Sequence, residues 1–266
     1  MEDITFTIHD RPGLSYTSDK AAELVDELRK FASISLSPLP NYQVFSNADD
    51  KIVITAHTKK TNEDGTVGLE LIAFTSAVII VVPELPEAER DVLHTGLTVI
   101  APEYRRKGML VQLFTRLILH VFSSLSYSSR LWVTSLAEVP NSLVHIAKFF
   151  SDVYPSPYTV SPGEMHLLIA RTIDREHRDK MLISPAAVFD EQSFVFKGSL
   201  GGNDIQRGVF IKNINDPQFW HRDKIANDFY RELLMDEGDE VLQVAYMDRK
   251  RITETLDALR MKDSGI

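Results

Sequence analysis

The sequence predicts a layered fold that mixes strands and helices, of the α/β or α+β class. Three observations carry this prediction. The composition, 44% hydrophobic and 25% charged, is that of a globular chain able to bury a core. Between Leu97 and Phe122 the pattern changes from a β-branched run to a 3.6-residue period, through a connection holding Pro102 and Gly108. Across residues 1–173, strand-like and helix-like stretches follow the order β-α-β-β-β-α-β-α-β.

Taken in order, Ile4, Phe6 and Ile8 alternate with polar residues and predict a first strand, ended by Arg11-Pro12-Gly13. Ser18 or Asp19 is placed to cap a helix whose buried stripe is Ala22, Val25, Leu28 and Phe31 or Ala32. Residues 33–50 are rich in Ser, Pro and Asn and read as a loop. Lys51 to Ala56 predicts a strand, and Lys59 to Gly65 the turn that reverses it. Val67 to Val82 predicts a second, unusually long strand with a bend or bulge near Thr75-Ser76. An acidic loop follows from Pro83 to Glu89, and the next strand begins near Val92 and carries Leu97 to Ile100.

From Met109 the period is helical: Leu110, Leu113, Phe114, Leu117, Ile118, Val121 and Phe122 fall on one face. Ser123 to Ser129 reads as a polar linker and Leu131 to Leu136 as a strand. Pro140-Asn141 precedes a helix with Leu143, Ile146, Ala147 and Phe150 on one side, and Met165 to Ile173 reads as another strand. In the last third, Ser193 to Lys197 and Val209 to Ile211 read as strands separated by Gly198 to Gly208. Asp223 to Leu234 reads as a helix with Ile225, Phe229 and Leu233 as its apolar face. Val241 to Tyr246 reads as a strand and Ile252 to Leu259 as a short helix. No Ser/Gly-rich linker separates these parts, so a single domain spanning 1–266 is expected. Its core is 1–173, its extension 174–240, and 241–246 is a candidate last core strand.

Composition narrows the function. A net charge of -9 argues against a general nucleic-acid binder and suits a cationic substrate such as an amine. Cysteine is absent, which removes disulfides, thiolate nucleophiles and Cys-based metal sites. The longest mainly apolar run, Leu69 to Val82, is too short to span a bilayer and holds Glu70, Thr75 and Ser76. The start, MEDITFTIHD, is acidic and alternating, unlike a signal or transit peptide, so a cytoplasmic protein with no membrane partner is expected. The eight histidines show no His-Glu-x-x-His spacing, and no metal is expected. A G-x-S-x-G elbow, a G-x-G-x-x-G fingerprint and a Walker loop are all absent. Gly198-Ser199-Leu200-Gly201-Gly202 is a turn signal only.

One connection remains: Ala101-Pro102-Glu103-Tyr104-Arg105-Arg106-Lys107-Gly108, between strand and helix. The first turn of a helix offers unpaired N–H groups and partial positive charge, and three cations with a Gly beside it make an anion site. An ordinary basic turn is the plain alternative. The order Thr98-x-Ile100-x-Pro102-Glu103-Tyr104-Arg105-Arg106-Lys107-Gly108-Met109-Leu110 closely resembles motif A of the GCN5-related N-acetyltransferase (GNAT) superfamily, roughly V-x-P-x-x-R/Q-x-x-G-x-G/A. Leu110 departs from the usual final Gly or Ala.

The resemblance covers about two-thirds of the chain. It implies a mostly antiparallel twisted sheet flanked by helices, here with a long C-terminal elaboration. It places the pyrophosphate of coenzyme A on Arg105, Arg106, Lys107, Gly108, Met109 and Leu110. It places the pantetheine arm and acetyl carbonyl along Thr98 and Ile100. Thr134 and Asn141 resemble the T-x6-N spacing of motif B, which implies that Asn141 contacts pantetheine; an N-cap role is its alternative. Many members carry a Tyr on this helix that protonates the leaving thiolate. Phe149 and Phe150 cannot do so, and Tyr154 is the candidate replacement or else a packing residue. His94 falls where histone-type members carry a catalytic Glu, and its side chain suits proton exchange near neutrality.

The implied activity is direct transfer of acetyl from acetyl-CoA to an amine acceptor, a small molecule or a protein amine. A non-catalytic acyl-CoA-binding protein is the alternative, and a plain interaction protein with a basic loop is the third. Trp220, His221, Arg222 and Tyr230 group so as to line an acceptor pocket, with Trp220 otherwise a core anchor.

Overall fold

The computed structural model describes residues 4–40, 42–45, 48–61, 64–124, 130–201 and 210–263. The fold is α+β, a mostly antiparallel sheet flanked by helices. The chain forms two compact units, one made of Met1–Ile79, Gly96–Ser126 and Ile252–Ile266, the other of Ile80–Thr95 and Tyr127–Arg251.

The first unit opens with β1 (Thr5–Asp10), a single helical turn α1 (Pro12–Ser15) and α2 (Ser18–Ala32). The N-cap of α2 is Thr17, whose side chain accepts from the Lys20 N–H, rather than the expected Ser18 or Asp19. Leu24, Val25, Leu28, Phe31 and Ala32 are the buried face of α2. Next come β2 (Lys51–Thr61) and β3 (Val67–Val81), with β1·β2 and β2·β3 both antiparallel. Phe31 and Phe45 meet the ring of Phe74 edge-on, at 6.1 and 6.4 Å between centroids. The irregularity expected near Thr75-Ser76 lies elsewhere: the register shifts between Ala56 and His57, leaving Ile72 as the extra residue of β3. Strand β4 (Asp91–Ile100) contributes its second half here, tied to β3 where the Ala101 N–H donates to the Ile72 carbonyl at 2.9 Å. Helix α3 (Met109–Ser124) buries Met109, Leu113, Phe114, Leu117, Ile118 and Val121. It takes in Ser123 and Ser124 of the expected linker, and residues 125–129 lie outside the described residues.

The second unit holds the first half of β4, β5 (Arg130–Ala137), α4 (Pro140–Phe149) and β6 (Ser151–Tyr154). It continues with α5 (Glu164–Thr172), β7 (Val188–Asp190), β8 (Val195–Lys197), α6 (Lys224–Leu233) and β9 (Glu240–Asp248). Its strand order is β4-β5-β9-β8-β7, with β6 also on β9 and β4·β5 parallel. Val241 to Tyr246 therefore sits inside β9, paired antiparallel with β5 from Arg130↔Asp248 to Ala137↔Val241. A last helix, α7 (Arg249–Asp263), most of which belongs to the first unit, replaces the shorter 252–259 segment.

Four expectations are corrected in this unit. Met165 to Ile173 is helical, not a strand: α5 runs to Thr172 and a π-helical stretch, Ile173–His177, follows it. His166, Ile169, Ala170, Thr172 and Ile173 are its buried residues, and His166, Ile169, Ala170 and Ile173 among them keep a helical spacing hidden inside an apolar run. The strand that completes the β-α-β-β-β-α-β-α-β order is instead β6, which the helical reading of 140–150 left unassigned. Val209 lies outside the described residues, and Phe210 and Ile211 are not in a strand. On α6 the buried residues are Ala226, Asn227 and Tyr230, with Phe229 and Leu233 partly buried, while Ile225 is 75% exposed. That face joins Leu143, Val144, Val195, Leu234 and Val241 in one cluster. The order of elements through Tyr154 is the one that the GNAT resemblance implies.

Candidate functional site

The site residues expected from sequence are divided between the units. Thr98, Ile100 and Arg105 to Leu110 belong to the first; His94, Asn141 and Tyr154 belong to the second.

In the first unit, Pro102–Tyr104 forms one tight helical turn after β4. Arg105 is extended; its Nε donates to the Ile100 carbonyl at 3.0 Å and its Nη2 to Ser35 Oγ at 3.2 Å. Lys107 stands 5.5 Å over the Tyr104 ring. Arg106 and Gly108 both adopt left-handed backbone, at φ 62° and 82°. The Gln112 N–H donates to the Gly108 carbonyl at 3.2 Å and so closes the first turn of α3. The N–H groups of Met109, Leu110 and Val111 have no intrahelical acceptor by helix geometry. Left-handed residues beside such a turn curl successive N–H groups into an anion-binding concavity. Arg105, Arg106 and Lys107 are exposed, Gly108 and Leu110 half-buried, and Met109 buried.

The strand before this loop has polar partners that sequence reading missed. Thr98 Oγ1 lies 2.7 Å from Thr75 Oγ1, and Ser76 Oγ donates to the Leu97 carbonyl at 3.2 Å. Thr75-Ser76, read as a bend, is the polar seam against β4. Gly96 runs under Tyr42: a β-carbon there would stand 2.7 Å from Tyr42 Oη. The only sequence signal for that contact was the Gly itself.

In the second unit, the β4–β5 ladder covers Leu93↔Val133, His94↔Thr134 and Thr95↔Ser135. Strand β5 runs on to Ala137, paired with β9. His94 is 4% exposed, and its Nδ1 lies 3.0 Å from Thr134 Oγ1. Asn141 is the second residue of α4, half-buried; the N-cap position belongs to Val139, so the N-cap alternative for Asn141 is overturned. Tyr154 is buried, its hydroxyl donates to the Gln192 carbonyl, and burial followed by Asp190 raises its pKa. A hydroxyl so held is a weaker acid than an ordinary Tyr.

Two carboxyl groups here were not expected. Glu138, one residue past β5, is 7% exposed, and burial pushes its pKa up to about 8 against the opposing Lys212 backbone N–H. Its Oε2 has no hydrogen-bond partner among the described residues. Glu240, at the start of β9, is pushed to about 7 by burial, and Ser199 Oγ donates to its Oε2 at 2.5 Å. Neither follows from sequence, because both burials depend on segments distant along the chain.

The aromatic residues of the last third differ in burial. Trp220 is 36% exposed, not a core anchor; its indole N–H donates to the Ile214 carbonyl, and Arg231 lies 4.7 Å from its ring. Tyr230 is fully buried, donating to the Pro155 carbonyl at 3.1 Å and lying 2.7 Å from Gln243 Nε2. His221 meets His145 edge-on at 5.1 Å, and Asp223 pairs with Lys148 at 2.7 Å. Among the described residues no cluster of His, Asp and Glu could hold a metal ion, and no helix is long and apolar enough to cross a membrane.

No family model and no curated protein sequence matches the chain. Among solved structures, it is similar to Arabidopsis thaliana NAA60 in complex with acetyl-CoA, at 14% identity over 55% of this chain and 81% of that one, with a TM-score of 0.39. It is similar to the NatC complex bound to Gag peptide and CoA at 15% identity, covering 56% and 82%, with a TM-score of 0.35. The aminoglycoside 6'-N-acetyltransferase AAC(6')-Ih from Acinetobacter baumannii is 15% identical, with 54% and 86% covered and a TM-score of 0.31. These are distant likenesses, and the functional reading rests on this chain's own residues.

Proposed function

We propose that the protein is an N-acyltransferase that uses acetyl-CoA and delivers its acetyl group directly to an amine, a small molecule or a protein amine. The observation that carries this reading is the β4-to-α3 connection. Gly108 at φ 82°, left-handed Arg106 and the exposed Arg105, Arg106 and Lys107 form a basic turn against the first N–H groups of α3. These residues fit a pyrophosphate: the chain offers N–H donors, positive charge and no β-carbon where an anion approaches most closely. Arg105 to Leu110 would hold the diphosphate. The half-buried backbone of Thr98 and Ile100 would meet the pantetheine arm. The coenzyme supplies the activated thioester.

Within this reading, Tyr154 acts as a packing residue and His94 as a strand-fixing one. A direct route matches the absence of cysteine, which leaves no thiol for an acyl-enzyme. The bound hydroxyl of Tyr154 and the burial of His94 favour a second reading, an acyl-CoA-binding protein without turnover. Calorimetry with coenzyme A and acetyl-CoA, followed by thiol release across an amine panel, tests both. The first reading expects binding and turnover, the second binding alone, and the absence of binding sinks both.

A further inference from the structure

We propose that the free edge of β1 pairs with β1 of a second copy of this chain, antiparallel about a two-fold axis at Thr7. Among the described residues β1 pairs on one side only, with β2. The Arg11 N–H donates to the Lys51 carbonyl at 2.8 Å, so Arg11 turns its N–H toward β2. Backbone groups alternate in direction along an antiparallel strand, so Thr5, Thr7 and His9 turn theirs toward β2 as well. Phe6, Ile8 and Asp10 turn theirs outward. Ser15 Oγ donates to the Asp10 carbonyl at 2.8 Å, whereas Phe6 and Ile8 keep N–H and carbonyl without a partner among the described residues.

A free edge recruits another strand unless short length, lysine, proline or a bulge defends it. Strand β7, at the end of the second unit, is so defended: it has three residues and closes on Asp190, ion-paired with Lys197 at 3.0 Å. Strand β1 has six residues, an unshifted register with β2, and no acidic or basic residue other than His9, and no proline, from Thr5 to His9. His9 is uncharged at pH 7, because burial lowers its pKa to about 4. Thr5 and Thr7 on one face and Ile8 on the other are all exposed, so the edge itself lies open.

A second copy is the occupant that this edge fits, because the edge is complementary to itself. With the axis at Thr7, Phe6 faces Ile8 of the other copy, Thr5 faces His9, and Thr7 faces Thr7. Phe6 and Ile8 then exchange the N–H and carbonyl groups that β2 leaves free; apolar meets apolar on one face and polar meets polar on the other. Moving the axis to Ile8 would set Phe6 against Asp10, whose carbonyl Ser15 already occupies. Moving it to Phe6 would leave His9 and Asp10 unopposed by the strand. Exposed Leu14 stands beside the same edge, in a shallow concavity shared with Ile8, Asp10, Arg11 and Tyr16, and adds apolar surface for the other copy to cover. A strand edge ~20 Å long buries less than the ~1,200 Å² of a standard interface, so the dimer is weak and reversible.

The test is sedimentation equilibrium of the full chain from ~10 µM to ~1 mM, over which a reversible monomer–dimer equilibrium is expected. Thr7→Lys sets two ammonium groups opposite each other across the axis and should raise the dimer Kd at least ~10-fold. The chain has no cysteine, so Thr7→Cys gives each copy a single thiol. Opposed residues of a non-hydrogen-bonded pair have Cα atoms ~4.5 Å apart, within disulfide reach. Mild oxidation should therefore link Thr7→Cys into a covalent dimer. Thr5→Cys, also exposed but ~14 Å from its own counterpart in this register, should link at least ~10-fold more slowly. The cross-linking pair decides the matter if the Lys variant fails to fold. A chain that stays monomeric at ~1 mM overturns the proposal and leaves the edge to a foreign strand. A dimer indifferent to Thr7→Lys, or equal cross-linking at positions 5 and 7, overturns it too, since the copies would then meet elsewhere or in another register.

Discussion

Two strand-to-helix connections in this protein have the same topology and opposite chemistry. The β4-to-α3 connection runs from Ala101 to Gly108, is mostly exposed, and carries Arg105, Arg106 and Lys107. The β5-to-α4 connection is only Glu138 and Val139, and its one charge is a buried acid. Both helices present a positive N-terminus. In the first, exposed cations add to the helix field and reinforce an anion site. In the second, a carboxyl beside a helix start should be favoured as the anion, by roughly 0.3–1 kcal/mol. Its pKa is instead raised from 4.5 to about 8, a preference for the neutral form of about 5 kcal/mol. Burial outweighs the dipole severalfold. Charge placed in water advertises itself in sequence; charge placed under a distant segment does not.

The largest effect should come from removing what buries that acid. A chain ending at Ser184 loses β8, α6 and β9, and with them the antiparallel partner of β5 along its whole length. It is expected to lose cooperative unfolding and to bind a dye for exposed apolar surface. A cooperative melt in that shortened chain would break the contrast, since the second connection would then be independent of the last third.

Next is Gly108→Val. Left-handed backbone with a branched side chain costs about 1–3 kcal/mol of stability, and the added group stands where an anion would approach. Coenzyme A affinity, measured by calorimetry on a folded sample, should fall at least ~10-fold. Unchanged affinity would reduce the first connection to a solvated basic turn.

The third effect is a pH dependence located in the second connection. Glu138 and Glu240 have folded-state pKa values of about 8 and about 7, raised from 4.5 by burial. Their contribution to stability is therefore complete below pH ~4.5 and is lost as pH rises through 7 and 8. His9 opposes this, its pKa lowered by burial to about 4, so its contribution is present above 6.5 and lost on acidification. Replacing both acids with Gln should leave the melting temperature nearly unchanged at pH 4 and raise it by roughly 10 °C or more at pH 8.5. Parallel melting curves for the two proteins across that range would count against buried, neutral carboxyl groups.

Smaller changes are expected from exposed positions. Arg105→Ala should weaken coenzyme binding only a few-fold, because the side chain already spends donors on Ile100 and Ser35. The loss should shrink further at high salt, as screening predicts. Ile225→Ser should alter stability by no more than ~0.5 kcal/mol, since that side chain is 75% exposed. A larger loss would mean that Ile225, not Ala226, faces the core.

How much of this was legible depends on where each signal resides. The periodicity of α2 and α3, the alternation of β1 and the β-branched runs of β2 and β5 are local properties, and they gave those elements directly. The basic turn with Gly108 was legible for the same reason: its chemistry lies in consecutive residues. Helix α5 was misread because a short apolar run supports either period, and capping decided it, with the Gly163 N–H donating to His166 Nδ1 at 3.1 Å. The face of α6 was misjudged by one residue because the partner that selects it, the cluster of Leu143, Val144 and Val241, lies far away in sequence.

By itself, then, the sequence determined the alternation of strands and helices, the basic strand-to-helix turn and the absence of thiol chemistry. Each of these is set by neighbours within a few residues, through backbone propensity, side-chain period or composition. Tertiary structure alone decided that Thr75 and Ser76 face β4, that Tyr42 covers Gly96, and that Val241 to Tyr246 is a neighbour of β5. It alone decided that Glu138 is neutral near pH 7 with an oxygen unmet. A pKa follows the dielectric and the charges around a group, and for Glu138 burial comes first, with Lys212 opposing it and Glu240 and Glu237 adding to it, none of which a local pattern connects to it.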